Sequence, residues 1–193
     1  MVRSGRPRKA DIDQRILHAV ADLVVERGYA QMTVDDVVAR AGTNKPAFYR
    51  RFRNLAEVVP QLLADRHGTD DDIDTGTLRG DLTEVQRRQR LLFTDPVVTR
   101  GFAGWLADLD ADPAQDTPFL TGYLGPRRAY TRTILDRAAA RGEIAPGADP
   151  EVVADLLTGP LLMRALLPGM PPIDDALVTQ SVSAALGAVG ITT

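Results

Sequence analysis

Apolar residues near the start of the chain recur at helical spacing. Ile12, Ile16, Ala19, Val20 and Leu23 fall at i, i+4, i+7, i+8 and i+11, the signature of one buried helix face. Asp11, Arg15, His18, Asp22 and Glu26 take the opposite side, so His18 reads as a solvent-facing residue and not a ligand. Gly28 supplies the stop. A second helix begins at Thr33, where Asp36 three residues on completes a capping-box pattern. Val34, Val37, Val38 and Ala41 form its stripe, and Gly42 ends it. Asn44 then caps a third helix with Pro46 in the first turn, where a missing N–H is harmless. Phe48 and Phe52 sit four residues apart and face inward. Asn54, followed by Glu57, opens a fourth helix.

A polar stretch, "HGTDDDIDTG", interrupts the pattern at His67–Gly76. Its aspartates lack the glycine and terminal glutamate of a calcium-binding EF-hand loop, and it reads as a solvated loop. Helical periodicity resumes over about Leu78–Phe93, Pro96–Leu109, Phe119–Arg141, Pro150–Leu167 and Ile173–Val189, punctuated by prolines. No stretch shows sustained alternation of β-branched residues or hairpin turn dipeptides, so an all-α fold is expected.

Charge changes the picture more than composition does. The chain has 193 residues and a formal net charge of −3, unevenly divided. Residues 1–54 hold eleven basic against six acidic side chains, and the remainder twelve against twenty. That asymmetry suggests a polyanion partner for the first segment only. There are no cysteines, which excludes disulfides and thiolate metal sites. No apolar run approaches the roughly 18 residues of a membrane span; Arg164 breaks the best candidate. Asp11 and Asp13 stand where a signal peptide would be apolar. A cytoplasmic protein away from any membrane is expected. No Ser-His-Asp, Cys-His or metal-ligand constellation is visible, so neither enzyme activity, cofactor nor metal is expected.

Two short helices about a glycine turn have helix-turn-helix spacing. A recognition helix must offer small or polar side chains at its N-terminal end for the backbone to approach base edges. In "TNKPA", Lys45 suits guanine or phosphate, and Pro46 and Ala47 suit a thymine methyl. Tyr49, Arg50 and Arg51 follow as phosphate contacts, and the helix starts at Thr33 and Asn44 offer N–H groups to the DNA backbone. The leading "RSGRPRK", with Arg6 and Arg8, fits a flexible basic arm tracking phosphates or a minor groove.

The stretch "ILHAVADLVVERGYAQMTVDDVVARAGTNKPAFYRRFRN" resembles the N-terminal domain of TetR-family transcriptional regulators, from about Asp11 to Val59. The combination of "ERGY", "TVDDVVARAG" and "FYRRF" at this spacing carries the likeness. "RGEIAPGADPEVVADLLTGPLLMRALLPG" resembles the C-terminal region common in that family, less specifically. The resemblance implies a basic arm at 1–10, a three-helix DNA-binding domain at 11–54 and a larger helical ligand-binding and dimerisation domain at 55–193. It also implies a homodimer on a palindromic double-stranded operator, joined through the last two helices and released by a small-molecule effector. One departure stands out: relatives place a phosphate-binding lysine where this chain has Leu55, with Arg53 the nearest substitute.

Independently of the resemblance, Val153, Leu156, Leu157, Pro160, Leu161 and Leu167 leave the penultimate helix apolar on more than one side. Leu177, Val178, Val182, Ala185, Leu186 and Val189 form a broad stripe on the last helix, which also fits a partner. For the effector, the larger residues of the middle helices are the candidate lining: Phe93, Phe102, Trp105, Tyr123, Tyr130 and Met163, with Arg164 paired to a buried acid or to an anionic ligand. The alternative function is a ligand-binding helical dimer whose DNA binding is weakened or lost.

Overall fold

A computed structural model describes residues 8–111 and 120–191. Among these residues the chain is helical throughout its regular structure, with no strand. The elements are α1 (Arg8–Arg27), a 3₁₀ turn (Tyr29–Gln31), α2 (Val34–Arg40), α3 (Lys45–Tyr49), α4 (Val58–His67), α5 (Leu78–Thr94) and α6 (Pro96–Ala111). A π-helical turn (Leu120–Leu124) leads into α7 (Gly125–Ala140), followed by α8 (Pro150–Leu166) and α9 (Asp175–Ala188).

Local chemistry sets most of these boundaries. Gly28 adopts φ 80°, which a side chain would strain, and turns the chain out of α1. Thr33 Oγ1 accepts the Asp36 N–H while the Asp36 carboxylate accepts the Thr33 N–H, a reciprocal capping box. Asn44 Oδ1 accepts the Ala47 N–H at 2.9 Å and starts α3. Asn54 Oδ1 similarly accepts from Glu57, just ahead of α4. α1 begins at Arg8, so positions 8–10 of the expected arm are helical; Arg6 lies outside the described residues, as does Phe119.

Two apolar clusters organise the molecule. The first joins the α1–α3 core (Ile16, Val20, Val37, Phe48, Phe52) to α4 and α6 through Val58, Leu62, Val98 and Trp105. The second lies in the body, where α5, α7, α8 and α9 meet around Leu82, Ile134, Leu157 and Leu186. α6 lies very close to α1: a Cβ added at Gly101 would stand 2.6 Å from Val24 Cγ1. The Tyr29 hydroxyl reaches across to Asp108 on α6 at 2.8 Å. Helix α8 continues through Pro160, which has no N–H to give. Gln86, fully buried on α5, donates to the Leu157 carbonyl at 3.0 Å one turn before that proline, and also to Ser181 on α9.

The aspartate-rich loop is a strap and not a free solvated loop. Asp70 and Ile73 are buried. Asp70 pairs with Arg127 and Asp72 with Arg88, while the Ile73 carbonyl accepts from Tyr130 at 2.6 Å and Arg137 at 2.7 Å. At its end Thr75 donates through both N–H and hydroxyl to the fully buried Asp81.

Candidate nucleic-acid interface and ligand cavity

The turn between α2 and α3 depends on Gly42 at φ 60°. Arg15 of α1 braces it, donating to the carbonyls of Ala41 at 3.0 Å and Gly42 at 3.3 Å. With the turn fixed, α3 presents Lys45, Pro46, Tyr49 and Arg50 outward, at the i, i+1, i+4, i+5 spacing of one helix face. Tyr49 is 53% exposed, a large ring in water with its phenol free to meet a partner. Lys45 is exposed and pairs with Asp35 at 3.0 Å, an interaction that raises its pKa. Arg50 is exposed and, among the described side chains of 11–54, is the cation without an ion pair or side-chain hydrogen bond.

Two sequence candidates face elsewhere. Ala47 is only 4% exposed and packs inside the head, so it offers no methyl to a base. Arg51 is mostly covered: its guanidinium pairs with Asp13 and donates to the Ala47 carbonyl at 2.9 Å, holding α3 against α1. Thr33 and Asn44 are exposed, but their side chains are engaged in the two caps, which also take up the N–H groups of Asp36 and Ala47. Arg8 opens α1 as a backbone position. Leu55 packs partly buried against the core, and Arg53 turns back onto Glu57, so neither stands free as a cation at that helix start.

In the body, α4, α5, α6, the π-helical turn, α7 and α8 enclose a cavity of about 340 Å³. Its wall is mainly apolar, with Leu63, Phe93, Phe102, Leu106, Ile134 and Leu162 prominent. Four expected lining residues are on it: Phe93, Phe102, Tyr123 and Tyr130. Three are not. Trp105 is completely buried, and its indole N–H donates to the Ala56 carbonyl at 3.1 Å, tying α6 to the chain entering α4. Met163 points away and is 50% exposed; its neighbour Leu162 lines the cavity instead. Arg164 donates to the Pro172 carbonyl at 2.7 Å and so braces the α8–α9 turn, with neither a buried acid nor the cavity as its partner.

The polar part of the wall was not anticipated from sequence. Arg127 on α7 lines the cavity, pairs with Asp70, and lies over the Tyr123 ring at 4.8 Å. The same guanidinium donates to the carbonyls of Gly68 at 2.8 Å and His67 at 3.4 Å, the end of α4. Beside it, Asp95 accepts from Arg66 at 2.8 Å and meets His67 Nε2 at 3.0 Å. Burial holds His67 below its usual pKa despite Asp95. Burial raises Asp95, but the Val97 N–H and Arg66 outweigh it and keep the carboxyl low. Burial pushes the Tyr123 phenol up to about 12. A sequence signal for this cluster exists in retrospect: the arginines at 127, 128 and 137 need counterions, and the aspartates at 70, 72 and 74 were available.

Comparison with known proteins follows both halves of this geometry. Residues 16–62 match the family described as bacterial regulatory proteins, tetR family, and residues 72–185 match the tetracyclin repressor-like C-terminal domain. The chain is 30% identical over 193 residues to the uncharacterized HTH-type transcriptional regulator YdeS of Bacillus subtilis (strain 168), covering 98% of this chain and 96% of that protein. It is 28% identical over 187 residues to the DNA-binding transcriptional repressor TetR of Mycobacteroides abscessus, covering 94% and 93%. Among solved structures, the TetR family transcription regulator SCO0332 superposes with a TM-score of 0.72 at 28% identity, over 94% of this chain and 100% of that one.

Proposed function

The chain belongs to the TetR family and is a DNA-binding transcriptional regulator, not an enzyme; from that premise we propose that it is a repressor, binding a palindromic operator as a homodimer and released by a small molecule in the body cavity. Lys45, Pro46, Tyr49 and Arg50 form the DNA-facing surface of α3. Lys45 exchanges Asp35 for phosphate or a guanine edge, and Arg50 binds phosphate directly. Arg6 from the arm and Arg8 from the first turn of α1 add phosphate contacts, and Thr33 and Asn44 approach the backbone at the two helix starts. Two-fold symmetry sets the half-sites about 34–36 Å apart, one turn of DNA.

The dimer is supported by the outer face of the body. Val152 and Met163 on α8 and Leu167 just past its end stand 47%, 50% and 51% exposed, and Leu156 and Pro160 continue their stripe. The broad stripe expected on α9 is spent within the chain, where Leu177, Val178, Val182, Ala185 and Leu186 are buried. The outward face of α9 instead carries Asp175 and Gln180 among small residues, Ala176, Thr179, Ala184, Gly187 and Ala188. An apolar stripe beside a face of small side chains suits close packing of four helices from two copies.

The observation that carries the ligand-release part is Arg127, which lines the cavity and also holds the last carbonyls of α4. Those carbonyls have no partner within their own helix. A ligand that changes the position of Arg127 therefore changes what secures α4, whose other end packs into the head core. Coupling of about 1–3 kcal/mol is typical of such linkage, and it is reciprocal. The second reading, a ligand-binding dimer with weakened DNA affinity, draws on Leu55, which leaves the expected phosphate contact unmade. Selecting bound sequences from random DNA tests both. A two-fold-symmetric site one helical turn across supports the repressor reading, and recovery of no preferred sequence supports the second.

A further inference from the structure

The polar atoms on the cavity wall bear on the chemistry of what fills it, an argument that rests on the effector reading above. Asp70 Oδ1, Arg127 Nε and Gln89 Oε1 are each buried without a hydrogen bond, Asp70 Oδ1 having only the Arg88 guanidinium at 3.9 Å, and all three residues line the cavity. A buried polar group without a hydrogen bond is costly, so a ligand that supplies those bonds is favoured over one that only fills space. Asp70 Oδ1 is an acceptor, Arg127 Nε is a donor, and the Gln89 amide can serve as either by rotation. One ligand group answers all three only if it both donates and accepts.

Charge narrows the class further. The lining cations are already matched: Arg127 pairs with Asp70, and Arg128 with Asp155 at 3.0 Å and with Glu151. An anionic ligand thus meets no unpaired cation. A cationic ligand finds the face of Tyr123 occupied by the Arg127 guanidinium at 4.8 Å. Burial lifts the Asp70 carboxyl above its usual range, against Arg127 and Arg88, and a group that donates and accepts suits either protonation state. The rest of the wall is apolar, and a volume of about 340 Å³ falls in the ~300–1,000 Å³ range of small-molecule sites.

We propose that the cavity takes an uncharged, mainly apolar molecule carrying a hydroxyl, held between Asp70, Arg127 and Gln89. The hydroxyl donates to the Asp70 carboxylate and accepts from the Arg127 guanidinium, with Gln89 completing its shell. The hydrocarbon part lies against Phe93, Phe102 and Leu162.

Four probes that share one apolar body test the class by calorimetry: 4-hexylphenol, its methyl ether 4-hexylanisole, 4-hexylbenzoate and 4-hexylbenzylammonium. The phenol is expected to bind about tenfold tighter than the ether, which accepts but cannot donate, and tighter than both ions. In Gln89→Leu the phenol and the ether both weaken, because each oxygen accepts from the Gln89 amide, and the advantage of the phenol, which comes from Asp70, is kept. Gln89→Met serves in its place if Gln89→Leu does not fold, and the wild-type series needs neither. Equal binding of phenol and ether, tightest binding of either ion, binding of none of the four, or phenol and ether binding unchanged in the Gln89 variant overturns the proposal. A DNA-binding measurement in saturating phenol separates the two readings: phenol bound as expected with DNA affinity unchanged refutes the effector reading and leaves the ligand class standing.

Discussion

Head and body use the same chemistry, arginine and lysine paired with carboxylates, in opposite surroundings. In the head, apart from Arg51–Asp13, which holds α3 against α1, the pairs lie largely at the surface. The Lys45 and Asp35 side chains are 51% and 71% exposed, and those of Arg40 and Glu26 are 35% and 47% exposed. The body adds pairs whose acid is covered: 5% exposure for the Asp70 side chain, none for Asp81, and 7% for Asp95. Exposed pairs contribute little and exchange readily for another partner. Pairs with a buried member are costly to break from one side. The head can therefore give up its exposed pairs, such as Lys45–Asp35, to phosphate without changing shape, whereas the body can change its covered pairs only by moving the elements that carry them. That contrast is what a device needs if one end binds a polyanion and the other responds to a ligand.

Substitutions can break the contrast. Asp81→Ala removes the acid shared by Thr75, Arg137 and Arg141. Because those arginines are partly exposed, the loss should fall toward the lower end of the roughly 3–5 kcal/mol range for one-sided removal, read as a drop in the denaturation midpoint with DNA affinity kept below that transition. Gly101→Val forces a side chain into the α1–α6 contact and should cost about 1–3 kcal/mol. Its sharper signature is a smaller effect of ligand on DNA affinity, since the joint between head and body is what it deforms. Met163→Asp, on the exposed α8 stripe, should weaken the dimer by at least about tenfold, or about 1.4 kcal/mol, seen by sedimentation, with helix content unchanged. Lys45→Ala is the mildest for the fold. It should leave thermal stability unaltered and reduce the salt dependence of DNA binding by about one unit if the contact is to phosphate.

The helices and their caps were readable because their causes are local. Thr33 with Asp36, Asn44 with Ala47, and Gly28 and Gly42 act within four residues of themselves, and the structure keeps each in its expected place. The direction each side chain faces was less readable where a helix is short. α3 has five residues, too few for a period to decide whether Ala47 or Pro46 faces outward. Size misled in the body: Trp105 and Met163 are large and apolar, yet one is wholly in the core and the other stands in solvent. The polar wall of the cavity was hidden because its pairings span 57 residues in the case of Asp70 and Arg127. Chain proximity gives no hint of such a contact, and the aspartate-rich loop reads as solvent-loving until its counterions are in view.

The chain has a single tryptophan, and its position gives it a use. Trp105 is wholly enclosed, stands off the wall of the large cavity, and hydrogen-bonds to Ala56 where the chain enters α4. Its ring packs at 5.3 Å on Phe102, which does line the cavity, so its fluorescence reports on that joint and on Phe102 together. A shift in emission on adding ligand would follow the response of this contact, in unlabelled protein and with no DNA present.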